Sequence, residues 1–163
     1  MSKIIAAPLN VANPVVHGTF RIERAYPQPP AVVFSAFADK AKVRRWRVEG
    51  EGFKVHEFTF DFRIGGAEVS RFSHMNSPEI RLDGQFQDIV PDQRIVFVYR
   101  MAMGPTPFSA SLTTVELTPS GNGTLLIYTE QGAYFGGPDS AQGREEGCRG
   151  LLEALAIELG NQD

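Results

Sequence analysis

Apolar and polar residues alternate along most of this chain, and the period of the alternation divides it into elements. Residues 17–26, HGTFRIERAY, set Phe20 and Ile22, and less clearly Arg24, against polar neighbours at a period of two, the pattern of a half-buried strand. The PQPP at 27–30 stops that run, and Pro30 suits the first position of a helix, where its missing N–H would have no partner anyway. AVVFSAF then places Val33, Phe34 and Phe37 on one side of a short helix. Asp39 is the natural N-cap of a second, KAKVRRWR, in which Val43 and Trp46 form an i, i+3 apolar pair.

From Phe53 onward the period is two again. Strand-like runs at 53–62, 67–75, 79–90, 94–103, 108–117 and 124–133 are separated by Gly65-Gly66, Asn76-Ser77-Pro78, Pro91-Asp92, GPTP and PSGNG. Connections this short exclude crossover helices and predict a six-stranded antiparallel meander, one face wet and the other buried. Gly84, inside its run, predicts a bulge or bend.

A final helix is expected over 138–159, stopped by Gly160 as its C′ residue. At 100° per residue, Cys148, Leu151, Leu152, Leu155 and Leu159 form one stripe, with Gly143, Gly147, Gly150 and Ala154 beside it. Each interior glycine costs about 1 kcal/mol relative to alanine, so the second stripe needs a reason. Either another element packs closely against it, or it forms the wall of a cavity.

Composition narrows the class. The 163 residues are 42% hydrophobic and 21% charged with a net charge of −3, which disfavours a nucleic-acid partner. A single cysteine, Cys148, excludes an internal disulfide, and no apolar run approaches the ~20 residues of a membrane span. The start of the chain makes a poor signal peptide. These features predict a cytoplasmic protein, with a flexible arm over 1–16 and a single domain over 17–163.

The order strand, two short helices, six antiparallel strands, long helix is the α+β helix-grip arrangement, and several motifs sharpen it. DKAKVRRW, FDFRIGGAEV, DGQFQDIVPDQRIVFVYR and GREEGCRGLLEAL resemble, in order and spacing, motifs of the START/SRPBCC superfamily, in the branch of homologues of the heat-shock-protein-90 ATPase activator. The match covers residues 19–160. The resemblance implies a cavity between sheet and last helix, used across the superfamily for lipids, sterols, polyketides and other apolar molecules. Most members of the branch are lone bacterial domains without an assigned ligand. The eponymous co-chaperone activity belongs to longer members with an additional N-terminal domain, so ATPase activation is not carried over. The chain departs from the pattern twice: Arg47 follows Trp46 where a second tryptophan is frequent, and Cys148 stands where the last helix usually carries tryptophan. A thiol in place of an indole predicts a larger or differently shaped cavity beside Cys148, unless Phe72, Phe97 or Phe135 fills the space.

Candidate chemistry is sparse. HEFTF lacks the second histidine of a zinc-protease helix, no Cys/His cluster has ligand spacing, and neither a phosphate loop nor a nucleophile elbow is present, so no metal or cofactor is expected. Cys148 on an apolar stripe reads as inert core. Glu68, Ser70, Phe72 and His74 share one face of their strand, and the alternation leaves open whether that face points inward or to solvent. Inward, Glu68 and His74 would be the acid–base candidates of an enzyme, of the cyclase, aromatase or hydrolase type that the superfamily also contains. The leading expectation is a non-enzymatic domain, monomeric or homodimeric and with a stress or regulatory role. It would bind a small apolar or amphipathic molecule against Phe86, Phe97, Tyr99, Cys148, Leu151 and Leu155. A third reading uses the basic second helix, through Arg44 and Arg45, to hold a protein partner.

Overall fold

A computed structural model describes residues 14–137 and 139–161. The arm expected over 1–16 lies, through residue 13, outside the described residues, as does Pro138, where the last helix was expected to begin. Seven strands form one antiparallel sheet: β1 (Val16–Tyr26), β2 (Phe53–Phe60), β3 (Ala67–His74), β4 (Ile80–Val90), β5 (Arg94–Met103), β6 (Thr106–Ser120) and β7 (Gly123–Tyr134). Their order is β1-β7-β6-β5-β4-β3-β2, so the meander runs from β2 to β7 and β1 closes onto β7. The helix-grip architecture expected from the sequence is the observed one.

Between β1 and β2 lie α1 (Pro30–Ala38) and α2 (Lys40–Val43), the second continuing into a π-helical turn, Arg44–Val48. Pro30 opens α1, and Asp39 caps α2 by accepting a 3.0 Å hydrogen bond from the Lys42 N–H. The π turn swings Trp46 inward. Its indole N–H donates to the Ala36 carbonyl at 2.9 Å, and its ring meets Phe37 edge-on at 5.2 Å.

The last helix, α3 (Ala141–Gly160), is capped by Ser140, whose hydroxyl accepts from the Gly143 N–H at 3.0 Å. It ends differently from expectation: Gly160 is its final helical residue, and the Asn161 N–H closes it onto Ile157 and Glu158 without a left-handed glycine. Cys148, Leu152, Leu155 and Leu159 are buried in one core with Phe20, Ile22, Phe86, Phe97, Val115 and Leu126 of the sheet. Tyr26 donates to the Leu152 carbonyl at 2.9 Å, and Arg45 of the π turn holds Glu158 at 2.6 Å, so α3 is fastened along its length.

Of the bulge or bend expected at Gly84, the bulge is not there. The register shift of β4 falls between Phe86 and Asp88, while a Cβ at Gly84 would stand 2.0 Å from the Phe97 ring. The missing side chain lets that ring lie over the backbone of β4.

Candidate functional site

Alternation along the strands aims one set of side chains at α3, and those side chains do not meet it everywhere. Between them lies a cavity of about 340 Å3, partly open to solvent and walled by β2 to β7, α1, the π turn and the first half of α3. Its apolar wall is mostly aromatic. Phe86 packs against Phe97 with ring centres 4.9 Å apart and against Phe62 at 5.0 Å, and Phe97 stacks on Tyr99 at 5.6 Å. From α3 come Arg144, Gly147, Cys148, Leu151 and Leu152.

Two carboxylates are buried near this space and differ in their surroundings. Glu130, fully buried on β7, receives Tyr99 at 2.8 Å and Arg144 at 2.9 Å on one oxygen, and Tyr128 at 2.9 Å and Thr113 at 3.2 Å on the other. Arg144 also donates to Ser109 at 2.8 Å and Ser111 at 3.2 Å, and it pairs with Asp139. One arginine in the first turns of α3 thereby ties the helix to β5, β6 and β7. Glu68, on β3 and 1% exposed, bonds only Arg47, and its Oε2 has no hydrogen-bond partner among the described residues.

Burial, reinforced by Glu130, pushes the Tyr99 and Tyr128 phenols well above the tyrosine range and the Cys148 thiol up to about 12. Burial works the other way on Arg144, but Tyr99, Glu130 and Asp139 outweigh it and hold the guanidinium above its ordinary value. At neutral pH these phenols and the thiol keep their protons. They donate hydrogen bonds and do not act as bases.

The structure distributes the residues singled out from sequence as follows. Phe86, Phe97, Tyr99, Cys148 and Leu151 line the cavity. Leu155 does not; it is fully buried one turn further along α3, in the solid part of the core. Glu68, Ser70 and Phe72 line the cavity, so their face of β3 points inward, but His74 lies exposed at the strand's end with its ring 4.6 Å from Phe53. Phe72 and Phe97 line the space without closing it beside Cys148. Gly147 touches the wall, and it and Gly150 are exposed with nothing within 4 Å of an added Cβ; Gly143 lies against its own Ser140 cap at 3.2 Å, and Ala154 packs on the core. Arg44 and Arg45 bond Glu49 and Glu158.

Sequence reasoning missed Glu130, Arg144 and Arg47. Arg144 stands one turn before Cys148 on the same stripe, and Glu130 alternates in phase with Tyr128 and Leu126, so both inward positions were readable. Their pairing depends on where α3 lies over the sheet. Among the described residues no group of three His, Cys, Asp or Glu could hold a metal, and no helix is long and apolar enough to cross a membrane. A broader groove of about 850 Å3 on the face turned away from α3 is open to solvent and walled by His17, Asp83, Arg100 and Gln131 among others. It encloses little of its volume.

Comparison with known proteins places this architecture among relatives. The family model described as "Activator of Hsp90 ATPase homolog 1-like protein" matches residues 27–160. A crystal structure of a Rhizobium loti protein is 74% identical, with a TM-score of 0.82 over 89% of this chain and 99% of that one. A Rhizobium leguminosarum protein is 31% identical, with a TM-score of 0.87 over 92% of this chain and 99% of the other. An AHSA1-like protein from Aeromonas hydrophila, at 18% identity and a TM-score of 0.68 over 88% and 92%, shares the fold. None of the curated proteins matches.

Proposed function

The chain belongs to the Activator of Hsp90 ATPase homolog 1-like family, and on that premise we propose that it is a binding domain for one small amphipathic molecule with an aromatic or lipid-like apolar body. The cavity under α3 carries this reading. Protein interiors are close-packed and leave few voids larger than a water molecule, so 340 Å3 of room is a feature that packing alone does not produce. The volume lies at the low end of the ~300–1,000 Å3 of small-molecule sites and suits a naphthalene-sized body. Affinity would come from burial of apolar area at ~25 cal/mol per Å2, and the few polar groups in the wall would set the orientation.

The family name brings no ATPase activation to this reading. Catalysis is supported less well, because the buried phenols and thiol hold their protons and His74 stands outside the cavity. Glu68 is the one carboxylate in the described wall, and no histidine stands in that wall beside it. A partner-binding role for Arg44 and Arg45 competes with their bonds to Glu49 and Glu158.

Native mass spectrometry of freshly purified protein tests the binding reading. The expected spectrum contains a second species heavier by one small molecule, absent from a Leu151→Trp variant whose indole occupies the cavity. A bare mass that stays bare after incubation with small aromatic and fatty probes would remove the reading.

A further inference from the structure

Resting on the binding function proposed above, we propose that Glu68 is the ligand's polar anchor, so that the molecule in the cavity presents a neutral hydroxyl or N–H donor to its Oε2. Three buried side-chain atoms of the described residues lack a hydrogen-bond partner: Gln28 Oε1, Tyr134 Oη and Glu68 Oε2. Of these residues only Glu68 belongs to the cavity wall and only Glu68 is acidic; its Oε2 is covered, so a donor in the cavity reaches it through a turn of the carboxyl group. Leaving a buried carboxylate oxygen unpaired forfeits a charge-assisted hydrogen bond after the group's desolvation has been incurred, and native proteins seldom tolerate that without a use.

Charge decides what kind of donor fits. Arg47 already neutralises Glu68 through Oε1 and lines the same cavity. An ammonium at Oε2 would add a second cation beside that guanidinium, and an anion would meet the carboxylate head-on. A neutral O–H or N–H satisfies the unpaired oxygen without either conflict. The rest of the donor's molecule would lie against Phe62, Phe86 and Phe97, whose tilted rings offer faces and edges to a planar body. Ser70, two residues along the same face of β3 and 3% exposed, provides a second polar group close by.

A matched pair of probes tests the assignment: 2-naphthol, which can donate, and 2-methoxynaphthalene, which keeps the ring and the oxygen but has no donor. Titration calorimetry on the wild type should show naphthol binding about 10- to 100-fold tighter, the range expected for a hydrogen bond to a charged acceptor. In Glu68→Met the preference should shrink to within about threefold, and in Glu68→Gln, which keeps an uncharged acceptor, to an intermediate value. Melting curves establish that each variant folds, and the wild-type comparison stands by itself if one does not. Equal affinities in the wild type would overturn the anchor while leaving the cavity reading intact. A preference undiminished in both variants would also overturn it. So would tighter binding of the cationic 2-naphthylmethylamine. Binding of neither naphthalene probe would end both the anchor and the reading on which it rests.

Discussion

Glu130 and Glu68 are both buried carboxylates on inward-facing positions, four strand places apart in one sheet, and each is paired to an arginine. Glu130 has every oxygen occupied. Arg144 and two tyrosines surround it, and the arginine is held in turn by Asp139, Ser109 and Ser111. Glu68 has one arginine, itself partly exposed, and one covered oxygen without a hydrogen-bond partner, on a side chain that belongs to the cavity wall. A satisfied network in a low-dielectric interior rigidifies what it joins, and a half-satisfied one is a cost unless something completes it. The comparison teaches that burial of a charge does not by itself mark function. On the proposed reading the unpaired acceptor of Glu68 is the functional one, and the filled end serves as the clasp of α3.

Several measurements would break or sharpen that contrast. The largest effect is expected for Glu130→Leu, which takes one of Arg144's two carboxylates and leaves Tyr99, Tyr128 and Thr113 without their buried acceptor; urea denaturation should show a loss of about 3–5 kcal/mol, enough to threaten folding. A loss under about 1 kcal/mol would mean the clasp is not one.

Alkaline pH probes the same end. The Cys148 thiol has its folded pKa raised to about 12 from an ordinary value of 9.0, and the Tyr99 and Tyr128 phenols are raised above 10.0. In the unfolded chain these groups lose protons first. Their contribution to stability is therefore complete below about pH 9 and drains away as pH climbs from there toward the folded values. Melting temperature followed from pH 8 to 11 should fall accordingly and should fall less in Tyr128→Phe. In the native state at pH 8, Cys148 should react with an aromatic disulfide roughly a thousandfold more slowly than a free thiol, since each pKa unit is tenfold in thiolate. Rapid labelling without unfolding would show that the closed end is open.

Smaller effects belong to the cavity side. Gly147→Ala and Gly150→Ala should each raise stability by up to about 1 kcal/mol, because a Cβ at either position meets nothing within 4 Å and alanine favours the helix. A destabilising Gly147→Ala would show that the space beside it is filled. The smallest change is expected for Glu68→Met, within about 1 kcal/mol of wild type, since Arg47 can turn to solvent and no satisfied network is broken. A loss matching that of Glu130→Leu would erase the distinction between the two carboxylates.

Much of the fold was legible because local chemistry and periodicity agree. Pro30 and Asp39 mark the two short helices, and turn residues separate runs whose alternation already holds Phe86, Phe97 and Tyr99 in phase. The inward face of β3 was not legible from its own residues, since it carries Glu68 and His74 and the other face carries Arg71. Pairing settles it: Glu68 stands opposite Gly84 and Ser70 opposite Leu82, and Leu82, like Phe86 on the same face of β4, lines the cavity under α3. The length of the strand then separates the two candidates, because His74 lies beyond the covered part of the sheet. Arg144 and Glu130 lie 14 residues apart on different elements, and their pairing follows from the path of α3, which alternation does not encode.

Ligand-dependent melting tests the cavity under α3 most directly. With 2-naphthol at about a hundred times its dissociation constant, the wild type should melt about 5–10 °C higher and Leu151→Trp should not move. No rise in the wild type up to the solubility limit of the probe, or the same rise in both proteins, would contradict a binding site between the sheet and α3.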